Sequence, residues 1–171
     1  VKRLALAALA PTIGLLAPLT SFADTKTLAT AGFWKAFGGT SNDGVPVCGI
    51  STSGNGLFFS LKVYKGDDEM TVQLGSSDWK IKDGAKQKLT MQFDKATPWK
   101  ATATGFHFSD GDAGLEFVVG LKNLKTFLTE FATSGKLHVN FDGTTVDSWS
   151  AGLTGTAAVT SAFADCIEKR L

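Results

Sequence analysis

The chain has 171 residues, 43% of them hydrophobic, and its 17 Lys and Arg stand against 16 Asp and Glu for a formal charge of +1. The lysines are scattered singly between acids and glycines, which excludes the clustered positive charge that draws nucleic acid or anionic membrane surfaces. The length supports one domain with a real core and not two.

The first residues, Val1-Lys2-Arg3, are basic, and an uncharged, mostly apolar run follows from Leu4 to Leu19. Pro11, Gly14 and Pro18 interrupt that run, and it is shorter than the roughly 20 residues that a spanning helix needs. This is the profile of a secretory signal peptide. Ser21 and Ala23 supply the small residues a signal peptidase inspects, so residues 1–23 are expected to be cleaved off ahead of Asp24. The mature product, residues 24–171, should be a single β-rich domain with no membrane insertion, periplasmic or secreted. Removing Lys2 and Arg3 tips its charge balance slightly to the acidic side.

Residues 24–31 are small and polar and read as a frayed lead-in. Beyond them, five segments alternate with period two, the mark of half-buried strands. Leu57, Phe59, Leu61 and Val63 share one face while Ser60 and Lys62 share the other. Met70, Val72 and Leu74 alternate with Thr71 and Gln73, and Leu89, Met91 and Phe93 alternate with Lys88, Thr90 and Gln92. Trp99, Ala101 and Ala103 alternate with Lys100, Thr102 and Thr104, and Leu137, Val139 and Phe141 alternate with Lys136, His138 and Asn140. Shorter strands are predicted at 33–37, 45–51, 79–81, 106–108, 115–119 and 146–153. Turn clusters such as Asn55-Gly56, Lys82-Asp83-Gly84 and Asp142-Gly143 lie between them, where Asn-Gly and Asp-Gly pairs supply positive φ. Strand and turn recur often enough to read as an antiparallel β-sandwich or barrel.

Two segments follow helical spacing instead. Leu121, Leu124, Phe127, Leu128 and Phe131 form one stripe, with Gly135 as the expected C-cap. Val159, Ala162, Phe163, Cys166 and Ile167 form a second stripe within a helix over 156–169. The fold class is therefore mainly β with one internal and one C-terminal helix. Cys48 and Cys166 are the two cysteines, and in an exported chain they are expected to pair, stapling the last helix to an early strand.

Chemistry is poorly supplied. His107 and His138 both fall on the polar side of their strands, and sequence places neither a nucleophile nor an orienting acid beside them. Asp110 and Asp112 lie in a Ser-Asp-Gly-Asp-Ala-Gly stretch that has part of a calcium loop and lacks its remaining acids, so it reads as a turn. No nucleophile elbow, zinc helix or phosphate loop is present, and no cofactor is expected. Trp34, Trp79 and Trp149 are the candidate binding surface, since flat amphipathic rings suit sugar or peptide recognition; Trp99 is in phase with a core face. Thr71, Gln73, Thr90, Gln92, Thr102 and Thr104 on the outer strand faces read as a solvated surface, the alternative being a flat face that binds another protein.

An apolar leader, Trp34 ahead of Cys48-Gly49, a succession of strands and a late Cys166 together resemble the invasion-associated locus B family, small periplasmic proteins of proteobacteria. That resemblance implies a β-sandwich-like domain with no assigned catalysis, and it carries no functional residue onto this chain. The expected function is a non-enzymatic envelope protein that binds another protein or a cell-wall component. Two rivals are a secreted hydrolase using Asp110, Asp112 or Glu116, and a carbohydrate-binding module that would need at least two tryptophans exposed in one plane.

Overall fold

Alternating apolar residues in one strand after another leave each strand with one face to bury, and the chain buries them together. The computed structural model describes residues 25–143 and 146–171; the expected signal peptide and its cleavage site lie outside them. Ten strands form one antiparallel sheet. In chain order they are β1 (Thr25–Ala31), β2 (Trp34–Thr40), β3 (Pro46–Gly54), β4 (Leu57–Tyr64), β5 (Glu69–Ser76), β6 (Lys86–Phe93), β7 (Trp99–His107), β8 (Ala113–Gly120), β9 (Lys136–Phe141) and β10 (Trp149–Gly152). Their order across the sheet is β1-β2-β3-β4-β5-β8-β7-β6-β9-β10, so the first five form a meander and β8 leads into the second half. A 3-10 turn, Leu121–Asn123, precedes helix α1 (Leu124–Thr133), and helix α2 (Thr156–Arg170) ends the chain.

The sheet curls until its halves face one another. Phe59 on β4 meets Trp149 on β10 edge to face at 6.5 Å, and Trp34 on β2 donates its indole N–H to the Gly152 carbonyl at 3.1 Å. Both helices lie on the inner side. Phe127 and Phe131 of α1 pack edge to face against Phe93 of β6 at 5.2 and 6.2 Å, and Phe131 also meets Trp34 at 5.0 Å. The Thr156 hydroxyl lies 2.8 Å from the Phe131 carbonyl and 2.7 Å from that of Leu153, tying the start of α2 to the end of α1. Cys48 of β3 and Cys166 of α2 form the expected disulfide, with Cα atoms 5.9 Å apart.

The strong alternation holds: the apolar members from Phe59 to Val63, Met70 to Leu74, Leu89 to Phe93 and Leu137 to Phe141 are buried. Four local expectations do not hold. Residues 25–31 form an edge strand paired to β2, since small Thr and Ala side chains suit an exposed edge, and a register shift between Thr27 and Ala29 breaks its regularity. No strand forms at 79–81; the Trp79 amide turns back to the Ser76 carbonyl, and Ile81 is buried close to Gly105. Gly135 does not cap α1 in a left-handed conformation, because Ser134 is extended and the Asp94 carboxylate accepts the N–H groups of Gly135 and Lys136 at 2.7 and 2.9 Å. Finally, the outer face is not uniformly solvated: Ser60 and Gln73, at 0% and 8% exposure, are buried there.

Candidate functional site

The tryptophans do not make a platform. Trp34 is 2% exposed and belongs to the core, which corrects its placement on a binding surface. Trp79 and Trp149 are half-buried, packed edge to face on Phe141 and Phe59 respectively. Trp99 is likewise half-buried, sealed between Phe127 at 5.3 Å and the Glu130 carboxylate, which accepts its indole N–H at 2.6 Å. The coplanar exposed pair needed by a tryptophan-based carbohydrate module does not form.

What stands on the surface is Phe33, in the turn between β1 and β2 and 86% exposed. Gly32 holds φ at +59° and its Cα faces the Thr154 carbonyl, so the turn is tight and the next side chain is pushed outward. The Phe33 carbonyl is pinned by the Thr52 hydroxyl of β3 at 2.8 Å. Beside Phe33 runs a groove of about 340 Å³ between the β3–β4 hairpin tip and β10, lined by Leu57, Phe58, Trp149 and the edge of Trp34. Its remaining lining is Phe59 with Ser, Thr, Asn, Ala and Gly, and among the described residues no charged side chain takes part. Among the described residues the Trp149 indole N–H is buried without a hydrogen-bond partner.

The sequence-derived carboxylates divide. Asp110 and Asp112 are exposed on the β7–β8 turn and line a second groove, about 470 Å³, with Phe58 and Phe108. Asp110 Oδ1 accepts the Asp112 amide at 3.2 Å, and the Phe108 amide donates to the Asp112 carbonyl at 2.9 Å, so this stretch is a built turn, with Gly111 at φ +92°. Glu116 lies apart from them on β8, accepting from Gln73 at 2.7 Å. Among the described residues no three Asp, Glu, His or Cys side chains gather as a metal-holding cluster. His107 is exposed and pairs through Nδ1 with Asp83 at 2.6 Å, an acid partner from another strand connection that spacing does not reveal. His138 is half-buried on β9.

What the sequence does not reveal is how the polar residues of the outer face join. Cross-strand register lines up Lys35, Ser51, Ser60, Gln73, Glu116, Thr104 and Lys86 on seven successive strands. Lys62 donates to Gln73 Oε1 at 2.8 Å and Ser60 to the same oxygen at 3.3 Å, while Gln73 Nε2 donates to Glu116. Burial holds the Lys62 ammonium below its ordinary 10.5, with the Glu116 charge pulling it back up. Burial likewise raises the Tyr64 phenol above 10.0, helped by Glu116 and Asp67. Aromatic rings flank the row. Phe37 lies over Gly49, its partner across β2 and β3, where any Cβ would strike the ring, and Phe106 and Phe108 cover Gly114 in the same manner.

A curled ten-stranded antiparallel sheet, plugged by two helices and closed by one disulfide, defines a class of small disulfide-stapled β proteins. No family model matches the chain, and no curated protein matches it in sequence. In structure it is similar to the invasion associated protein B of Bartonella henselae, with a TM-score of 0.55 at 12% identity over 87% of this chain and 100% of that one. The resemblance read from the sequence therefore holds at the level of the fold. Among the described residues no helix is long and apolar enough to cross a membrane, and a formed disulfide is the mark of a compartment outside the reducing cytoplasm.

Proposed function

We propose that the protein is exported, cleaved after Ala23, and acts in the periplasm or outside the cell as a non-enzymatic binding protein whose partner is another protein of the envelope. Phe33 carries this reading: a large aromatic ring held out by a tight turn, beside a groove with no described charge in its walls. Such a ring has no use in the chain's own core, and aromatic anchors next to uncharged apolar grooves are what protein interfaces are built around. The uncharged walls favour an apolar side chain from a protein over a charged wall polymer. The hydrolase reading finds less support, since Asp110 holds its own turn and Glu116 serves the Gln73 network away from it.

The test is site-specific photocrosslinking in the native envelope, with the crosslinker at position 33 and, as control, at the exposed Lys125 on α1. A discrete protein adduct from position 33 alone, and failure of that same protein to copurify with a Phe33→Ser variant that lacks the crosslinker, are the expected results. Absence of an adduct at 33, or equal adducts at both positions, overturns the reading. Amino-terminal sequencing of the native product should begin at Asp24; a retained leader refutes the export step.

A further inference from the structure

On the other side of Phe58 from the Phe33 groove, the outer face of the sheet carries a third depression, about 340 Å³, whose lining includes Phe37 and Phe58. Its floor and rim present Lys35, Lys62, Ser51 and Ser60. Two ammonium groups and several hydroxyls line it, and among the described residues no carboxylate does. The acid nearest in the network, Glu116, is separated from it by Gln73, whose amide donates to Glu116 and turns its carbonyl oxygen toward Lys62 and Ser60. Among the described residues neither Lys35 nor Lys62 has a salt-bridge partner. Lys62 gives one of its three N–H groups to Gln73, and among the described residues its other two have no acceptor.

A half-buried ammonium without an ion-pair partner is costly to keep, and the fold keeps it in a depression that no described carboxylate lines. The volume falls at the low end of the range of about 300–1,000 Å³ typical of small-molecule sites, enough for a single sugar-sized ring. Phe37, whose ring tip reaches over Gly49 and lines the depression, is an aromatic wall for such a ligand, and the Ser51 and Ser60 hydroxyls match the hydrogen-bonding groups on its edge. We propose that this depression is a binding site for a sugar ring bearing one anionic group, with Lys35 and Lys62 as its charge partners and Phe37 as its aromatic wall. The site is separate from the Phe33 groove and does not depend on the partner assigned there.

Calorimetric titration of the processed full-length protein tests it with four probes: glucuronate, glucose 6-phosphate, glucose and inorganic phosphate. At least one of the two anionic sugars should bind saturably, about tenfold or more tighter than glucose and than inorganic phosphate, and the tighter of the two identifies the anionic group as carboxylate or phosphate. Lys62→Met and Lys35→Gln should each weaken it about tenfold, with Lys35 exposed enough that folding is not at issue. No saturable binding of either anionic sugar overturns the proposal. So does glucose binding equally well, phosphate alone binding equally well, or an affinity unchanged in both variants.

Discussion

Gly38 of β2 lies directly beneath the sulfur of Cys166: a Cβ at position 38 would stand 2.8 Å from Sγ and 3.3 Å from Leu28 Cδ1. Gly38 is also the cross-strand partner of Cys48, so the strand next to the disulfide is kept bare to let the bond pass over it. Gly38→Ala should therefore overpack the staple and cost about 1–3 kcal/mol in urea unfolding of the oxidised protein. In a Cys48→Ala, Cys166→Ala background the obstruction is gone, and the same substitution should cost less. A double-mutant cycle with no coupling between Gly38 and the disulfide would show that the sulfur does not set the need for glycine.

The disulfide closes a sequence separation of 118 residues, for which chain entropy gives about 5 kcal/mol of stabilisation before native strain is considered. Its removal should lower unfolding stability by several kcal/mol, and the loss should not be uniform. The start of α2 keeps the Thr156 hydroxyl bonds and the buried Val159 and Phe163, whereas beyond Cys166 the helix is mostly exposed. Hydrogen exchange in the reduced protein is expected to accelerate over residues 166–171 well before 156–160. Equal acceleration along the whole helix would show that the bond, and not the packing of Phe163, holds α2 down.

The elements that sequence made legible are those in which one physical signal dominates. Period-two alternation of large residues placed the core faces of β4, β5, β6 and β9, and the Phe127–Phe131 stripe placed α1. The edge strand β1 escaped because an edge needs no large apolar side chain, and the end of α1 escaped because the chain leaving Ser134 is held at Gly135 by Asp94, 41 residues away in sequence. The tryptophans misled because aromatic surface is equally at home in a core, and only three-dimensional packing separates Trp34 from its exposed neighbour Phe33. The Lys62, Gln73 and Glu116 network was illegible for a related reason. Its members lie on three strands, and only the register of β4, β5 and β8 brings them into contact.

That contrast between two adjacent aromatics is itself testable. Phe33→Ala removes a ring that touches solvent over most of its surface, so stability should stay within about 0.5 kcal/mol of the parent. Trp34→Ala empties a site packed against Phe59 at 5.7 Å and Phe131 at 5.0 Å and also leaves the Gly152 carbonyl without its donor. About 3–5 kcal/mol should be lost. Thermal denaturation of the two variants checks both figures, and a destabilised Phe33→Ala would mean that the ring serves the fold and not a partner.

Lys62 gives a pH signature. Its folded-state affinity for the proton is lowered by burial, so below the ordinary lysine value of 10.5 the unfolded chain binds the proton more readily than the folded one. Unfolding stability contributed by this group must then rise with pH across the alkaline interval that ends at 10.5, as the buried ammonium loses its charge. Tyr64 acts in the opposite sense, since its raised folded value means stability is lost as the phenol ionises above 10.0. Subtracting the stability of Lys62→Met from that of the parent leaves the lysine contribution with Tyr64 common to both. The difference should be flat at neutral pH and climb in the parent's favour as pH approaches 10.5. An anionic ligand seated against Lys62 would favour the ammonium form and shift that climb to higher pH, so glucuronate or glucose 6-phosphate added to the same titration should move it. A difference that is flat throughout would show that Lys62 reaches water as freely as a surface lysine, and the depression beside it would then hold no desolvated charge for a ligand to meet.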